Sequence, residues 1–149
     1  MRALILCALA ATHPAGCGEC QSECRDSVVV NAHLQVQAAS LAMTTIVFCR
    51  NRECSNPTPL VNNAAINTGG LCASVSILDE VSTTTIAVTP DLYSHDCTMP
   101  VLTDGDMYTV TITDANAAIV AQLSATATYH SAASCGTECQ SAIIQLEPI

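Results

Sequence analysis

The ten cysteines are the side chains of this sequence with the most potential for chemistry. Two groups of them have the spacing of metal ligands: Cys17, Cys20 and Cys24 near the start, and Cys135 and Cys139 near the end. Four thiolates from the two groups could hold zinc, and the first group alone could contribute to an iron–sulfur centre. On an exported chain the same thiols would be oxidised to disulfides. We expect disulfides and no metal or other cofactor, and keep an extracellular metal-binding or redox domain, using Cys20, Cys24, Cys135 and Cys139, as the alternative.

The amino terminus predicts export. Arg2 precedes an apolar run, Ala3–Ala11, that has the length of a signal-peptide core and is too short to span a membrane. Small residues before Cys17 resemble a bacterial lipobox, although Pro14 departs from it, so we expect Cys17 to carry lipid. Plain secretion after cleavage near Ala15 and a first buried strand of a cytosolic domain are the alternatives. The expected organisation is a lipoprotein-type signal peptide over 1–16, a cysteine-rich tether over 17–25 and one domain over 26–149.

Cysteine parity agrees with lipidation at Cys17. If Cys7 leaves with the signal peptide and Cys17 carries lipid, eight of the ten cysteines remain and can pair completely. The shortest bridge, from Cys49 to Cys54, is the first one expected. The eight cysteines expected in disulfides are Cys20, Cys24, Cys49, Cys54, Cys72, Cys97, Cys135 and Cys139.

The segment Tyr93-Ser94-His95-Asp96 places a hydroxyl, an imidazole and a carboxylate next to one another. Catalytic triads are defined by spatial geometry, and neighbours in sequence rarely point at one another. The chain also lacks the Gly-x-Ser-x-Gly nucleophile elbow. We therefore expect no catalytic residues, with a small hydrolase centred on His95 as a further alternative. His33 and His130 are expected to be surface or hydrogen-bonded histidines.

The acidic turn Asp104-Gly105-Asp106 could suggest calcium, but it lacks the remaining positions of an EF-hand loop. A hairpin turn explains the same residues without an ion. A weak divalent-cation site remains a hypothesis if Asp91 and Asp96 share one end of the domain with this turn.

The basic turn Arg50-Asn51-Arg52 is the electropositive spot of the processed chain. Arg50 and Arg52 could grip a carboxylate or sulfate on a polysaccharide or a protein partner. Alternatively, they pair with Glu53 or with carboxylates of a neighbouring loop.

These candidate residues are expected to lie on or between β-strands, because apolar residues recur with a period of two along the chain. Val28, Val30 and Ala32 alternate with wetter positions, and Thr109-Val110-Thr111-Ile112-Thr113 repeats the pattern. The predicted strands cover 28–37, 44–50, 71–78, 82–89, 107–113, 118–129 and 140–146. About seven strands separated by turns predict an all-β fold, an antiparallel β-sandwich of immunoglobulin or fibronectin type. Because small aliphatic residues dominate this core, we expect disulfides to be needed for stability.

The charge composition indicates which classes of binding partner are unfavourable. The 149 residues carry no Lys, four Arg and thirteen acids, for a net charge of −9, so binding to nucleic acid or by a polybasic patch to membranes is not expected. Half of the residues are hydrophobic, which predicts a folded core.

Three segments resemble those of a group of bacterial cell-envelope proteins for which no activity is established. They are Ile46-Val-Phe-Cys-Arg-Asn-Arg-Glu-Cys54, the stretch 104–115 beginning Asp-Gly-Asp-Met-Tyr, and Tyr129 followed by Cys135-Gly-Thr-Glu-Cys139. The resemblance implies a lipoprotein-type signal and one disulfide-rich immunoglobulin-like domain at the bacterial outer-membrane surface or outside the cell. We therefore expect a non-enzymatic exported module, structural, adhesive or ligand-binding. A lipid anchor would attach it to the membrane, and a protein or polysaccharide surface would be its partner.

Overall fold

The structure is a computed structural model that describes residues 25–68, 71–93, 97, 101–134 and 137–149. These residues form eleven strands and one turn of 3-10 helix, η1. The elements are β1 (Ser27–Leu34), η1 (Ala38–Leu41), β2 (Thr45–Arg50), β3 (Glu53–Cys54), β4 (Thr58–Pro59), β5 (Ala64–Thr68), β6 (Leu71–Asp79), β7 (Thr84–Pro90), β8 (Met107–Thr113), β9 (Ile119–Thr126), β10 (His130–Ser134) and β11 (Thr137–Pro148).

The strands form one mixed sheet that curls into a half-barrel. Its order is β3-β2-β8-β9-β11-β1-β7-β6-β5, with β10 paired to β11 and β4 paired to β2. The long strand β11 joins two halves of the sheet. Its residues 141–146 pair with β1, whereas Glu147 and Pro148 pair with β9. We call the part from β1 to β5 the β1 half and the part from β9 to β3 the β8 half.

The all-β prediction is confirmed. The seven strands of six or more residues (β1, β2, β6, β7, β8, β9 and β11) correspond to the seven predicted strands. The count of about seven is nevertheless too low, because β3, β4, β5 and β10 are short strands of two to five residues that periodicity cannot reveal. The expectation of a purely antiparallel arrangement is also corrected, since β1 and β11 are parallel.

Alternation of side chains explains the core. In β1 the residues Val28, Val30, Ala32 and Leu34 are buried, while the residues between them are exposed or half-buried. β2 and β8 repeat this pattern with Phe48 and Tyr108, whose rings stack with centroids 5.9 Å apart. Both halves therefore direct one face of the curled sheet into a single core of Val, Ile, Leu and Ala.

Strand directions give the molecule two ends. The entry end is where β1 begins, and the strand registers place the turns 51–52 and 101–106 there as well. The far end carries the segments 35–44, 79–83 and 114–118.

The first described residues are fixed to the entry end. The Asp26 amide donates to Tyr93 Oη at 2.6 Å, and Asp26 Oδ1 accepts from the Gln140 amide at 2.7 Å. The Arg25 guanidinium lies 5.4 Å from the centre of the Tyr93 ring. The described part of the chain therefore begins at the entry end.

Candidate functional site

A buried polar cluster surrounds Arg50, at the entry end. Arg50 follows Ile46 and Phe48 on the core-facing side of β2 and is only 2% exposed. The register places it opposite Tyr108 of β8. A guanidinium at a core position needs a counter-charge, because burying an unpaired ion costs roughly several kcal/mol of desolvation free energy.

Asp106 provides that counter-charge. Its Oδ2 accepts from Arg50 Nε at 3.1 Å and from a terminal guanidinium nitrogen at 2.5 Å. The same guanidinium donates to the Val101 carbonyl at 2.8 Å. Asp106 is 6% exposed and also accepts from the Thr103 amide at 3.1 Å. The ion pair thus connects the end of β2 to the loop that precedes β8.

Asn51 closes one side of this cluster. Its side-chain amide donates to Asp106 Oδ1 at 2.9 Å, and its side-chain carbonyl accepts from the Met107 amide at 2.8 Å. Asn51 has a φ of 55°, a left-handed conformation that Asn adopts more readily than most residues. Gly105, which has a φ of 94°, makes the corresponding turn before Asp106.

Two tyrosines close the other side. Tyr129 Oη donates to Asp106 Oδ2 at 2.9 Å and lies 2.8 Å from Tyr108 Oη. The Tyr129 amide donates to Asp104 Oδ1 at 2.7 Å. These contacts connect the segment after β9 to the turn before β8. Asp104 accepts a hydrogen bond from the backbone amide of Tyr129, whereas Asp106 accepts one from its side-chain hydroxyl.

Burial and hydrogen bonding oppose each other at these groups. Burial raises the pKa of Asp106, but hydrogen bonds from Asn51, the Thr103 amide, Arg50 and Tyr129 outweigh it and lower the pKa below its usual value. Burial raises the pKa of Tyr108. The pKa of Tyr129 is raised strongly, first by burial and then by its hydrogen bonds to Tyr108 and Asp106. Asp106 is therefore held ionised and both phenols neutral.

The cluster is chemically closed. Within the described residues, every buried side-chain nitrogen and oxygen has a hydrogen-bond partner. Asp106 is saturated with donors, and Arg50 is directed at Asp106 and Val101, away from solvent. This arrangement stabilises the junction of three chain segments and buries the ion pair of Arg50 and Asp106.

The structure places Arg50 of the basic turn in a buried ion pair. Of the two predicted readings, pairing with a carboxylate of a neighbouring loop is the one observed, with Asp106 as the partner. Arg50 continues the alternating core positions of β2, which turns its side chain inward. Arg52 lies in the exposed turn that follows.

The described cysteines form disulfides. Cys49 is bonded to Cys54 across the hairpin of β2 and β3, as expected for the shortest bridge. Cys72 of β6 is bonded to Cys97, and Cys139 is also disulfide-bonded. Disulfides persist in oxidising compartments, and these bonds agree with such an environment. The remaining predicted cysteines lie outside the described residues: Cys17, Cys20, Cys24 and Cys135.

The other sequence candidates are dispersed. No group of three or more His, Cys, Asp or Glu side chains comes together in the described part of the chain, so Asp91, Asp104 and Asp106 are not assembled there. Ser94, His95 and Asp96 lie outside that part. His33 Nδ1 is 2.7 Å from Thr85 Oγ1, as expected for a hydrogen-bonded surface histidine, and His130 is exposed on β10.

A cavity of about 300 Å³ opens near the far end, where the two halves of the sheet diverge. We call it the far-end cavity. One wall is the end of β1 and the residues after it, 33–36, and the other is 120–123 of β9. Pro148 of β11 completes the lining. Sequence periodicity could not reveal this cavity, because it depends on where β11 leaves β1.

A sequence signal for the buried network did exist. Arg50 lies two residues after Phe48 in the alternating core positions of β2. Asp106 lies two residues before Tyr108 and so continues the core positions of β8. What the pattern could not supply was the pairing of the two strands.

Comparisons with protein-family models, with curated proteins and with solved structures find no match. Within the residues that the structure describes, no helix combines the length and the apolar character that a membrane span requires.

Proposed function

We propose that this chain is a non-enzymatic exported module of the bacterial cell envelope that serves a structural, adhesive or ligand-binding role. The observation that carries the proposal is the pairing of cysteines within the folded domain, Cys49 with Cys54 and Cys72 with Cys97. Disulfide-rich small domains are typical of oxidising compartments outside the cytoplasm.

The attachment follows from the sequence and from the position at which the chain joins the domain. We propose a lipid anchor at Cys17, after removal of residues 1–16, with residues 17–25 as the tether. Arg25 and Asp26 are fixed at the entry end, so that end would face the membrane and the far end would face away from it. Loops at the free end of a β-domain commonly carry binding residues.

We further propose that the curled sheet is a divergent immunoglobulin-type sandwich. The seven long strands, and the two halves joined by a strand that changes partners, support this relationship. The Asp-Gly-Asp-Met-Tyr entry to β8 supports it as well, since it brings Asp106 and Tyr108 into the buried network.

The intact mass of the native full-length product, expressed with its own amino terminus in a Gram-negative host, tests the export, the lipid anchor and the disulfides on which the proposed function depends. We expect loss of residues 1–16, the mass of an acylated Cys17 and no free thiol. A Cys17→Ser variant is the matched control: it has no thiol to acylate at this position, so its mass should contain no acyl group and, because cleavage at a lipobox follows acylation, should retain residues 1–16. Retention of residues 1–16 together with reactive thiols, or stoichiometric zinc or iron in elemental analysis, would overturn the proposal in favour of the metal-binding alternative.

A further inference from the structure

The two ends of the domain differ in their basic residues, whereas carboxylates lie at both ends. Six described carboxylates lie toward the entry end: Asp26, Glu53, Asp91, Asp104, Asp106 and Glu138. The arginines among the described residues, Arg25, Arg50 and Arg52, all lie at the entry end, and the chain contains no Lys. Four carboxylates lie at or near the far end: Asp79, Glu80, Asp114 and Glu147. The far end is therefore an acidic surface without a lysine or an arginine among the residues described there.

The far end is also apolar. Six large apolar side chains are exposed on its loops and strand ends, where folding leaves them in water. They are Met43 (82% exposed), Leu78 (60%), Val81 (93%), Ile119 (63%), Val120 (45%) and Ile149 (77%).

The far-end cavity lies within this surface. Val120 lines it, and Gln35 and Val36 on the opposite wall lead directly into the loop that contacts the β6–β7 turn. That contact is explicit: Gln37 Nε2 donates to the Val81 carbonyl at 3.3 Å, and the Ala38 amide donates to Asp79 Oδ1 at 3.3 Å. An apolar slot thus adjoins a turn that presents two carboxylates, Asp79 and Glu80.

We propose that the far end is a docking site for a cationic amphipathic segment of another protein, a partner class that deepens, and rests on, the ligand-binding role proposed above. An apolar side chain of that segment would enter the far-end cavity, and its Lys or Arg side chains would face the surrounding carboxylates. Apolar centres with charged rims are the usual anatomy of protein interfaces. A second copy of this chain does not fit, because two acidic far ends repel each other, and anionic lipid headgroups are repelled for the same reason.

Fluorescence anisotropy with a defined probe tests this. The probe is a labelled synthetic peptide of Leu and Lys arranged as an amphipathic helix, and the reference peptide replaces each Leu by Ser at the same length and charge. With the full-length protein at about 150 mM salt, where distant charges are screened, we expect the Leu/Lys peptide to bind at least tenfold more tightly than the Ser/Lys peptide. Equal binding of the two peptides would mean that only net charge is recognised, and the proposal would be wrong.

Three valine variants locate the site. Val81→Asp and Val120→Asp alter the far end, whereas Val101→Asp alters a valine that is 84% exposed at the entry end. All three add one negative charge, and at the far end that charge would attract the Lys side chains of the bound probe, so weaker binding there reports the loss of an apolar contact. We expect the two far-end variants to weaken binding of the Leu/Lys peptide at least fivefold and Val101→Asp to leave it unchanged.

Equal affinities for all three variants would overturn the proposal. Because Val81 is 93% exposed, its variant should fold even if Val120→Asp does not. The intact mass of the same preparation reports export and disulfides independently. A cleaved, disulfide-bonded protein that fails to bind the probe would therefore refute the docking site and leave the proposed export intact.

Discussion

Replacing Asp106 by Asn removes the counter-charge of a buried guanidinium while changing the side-chain volume very little. Arg50 is 2% exposed and Asp106 6%, so the arginine left behind cannot be solvated without opening the loop 101–106. Removing one partner of a buried ion pair costs about 3 to 5 kcal/mol. This is a large part of the total stability of a domain, which is about 5 to 15 kcal/mol.

The same cost can be expressed as a melting temperature. Unfolding entropy near 60 °C is about 2.1 cal/mol/K per residue, which gives roughly 0.26 kcal/mol/K for the domain 26–149. A loss of about 3 to 5 kcal/mol then lowers Tm by about 12 to 19 °C. The assay is urea and thermal unfolding followed by circular dichroism at pH 7, with Asp79→Asn as the control, because Asp79 undergoes the same change at an exposed position.

A third variant separates the ion pair from general damage. In Arg50→Met/Asp106→Asn no unpaired charge remains, so the double variant should be more stable than the sum of the two single losses predicts.

The dependence of stability on pH has a definite sign. The lowered pKa of Asp106 contributes stability that is present above the pKa of the unfolded chain, about 3.9, and is lost as the pH falls through the folded value.

Asp106→Asn should accordingly flatten the acid limb of the stability profile. A loss for Asp106→Asn no greater than that for Asp79→Asn, or strict additivity in the double variant, would refute the account of the buried pair.

Three further predictions concern the two buried tyrosines and the two disulfides. Tyr129→Phe removes a donor to Asp106 and leaves Tyr108 Oη without its partner, which should cost about 1 to 3 kcal/mol in urea unfolding; a loss below about 0.5 kcal/mol, the range of ordinary surface changes, would contradict this. Because the pKa values of Tyr108 and Tyr129 are raised, stability should fall as the pH rises above about 10, and absorbance at ~295 nm should show both phenols ionising together with the loss of circular dichroism; their ionisation in the still-folded protein would contradict it. Cys72–Cys97 closes a separation of 25 residues and Cys49–Cys54 one of 5, so removing the first should cost about 1.4 kcal/mol more by loop entropy; paired Cys→Ser variants measure the difference, and equal losses would refute it.

The strand content, the seven long strands and the shortest disulfide were predictable from the amino-acid sequence. The recurrence of apolar residues at Val28, Val30 and Ala32 predicts a strand with one buried face, because successive side chains point to opposite sides. Cys49 and Cys54 are close enough in sequence for a hairpin to bring them together. These features depend on short-range geometry, which composition and spacing encode directly.

The order of the strands in the sheet, and with it the role of Arg50, could be read only from the folded chain. From the sequence, Arg50 could be either an exposed ligand-binding residue or one partner of an ion pair. The register of β2 against β8 decides between them, because it brings Asp106 beside Arg50. The parallel pairing of β1 with β11 likewise joins residues more than a hundred positions apart, and the far-end cavity brings 33–36 beside 120–123. Such contacts follow from the burial of a whole sheet face at once, and no local pattern specifies which distant strand will cover it.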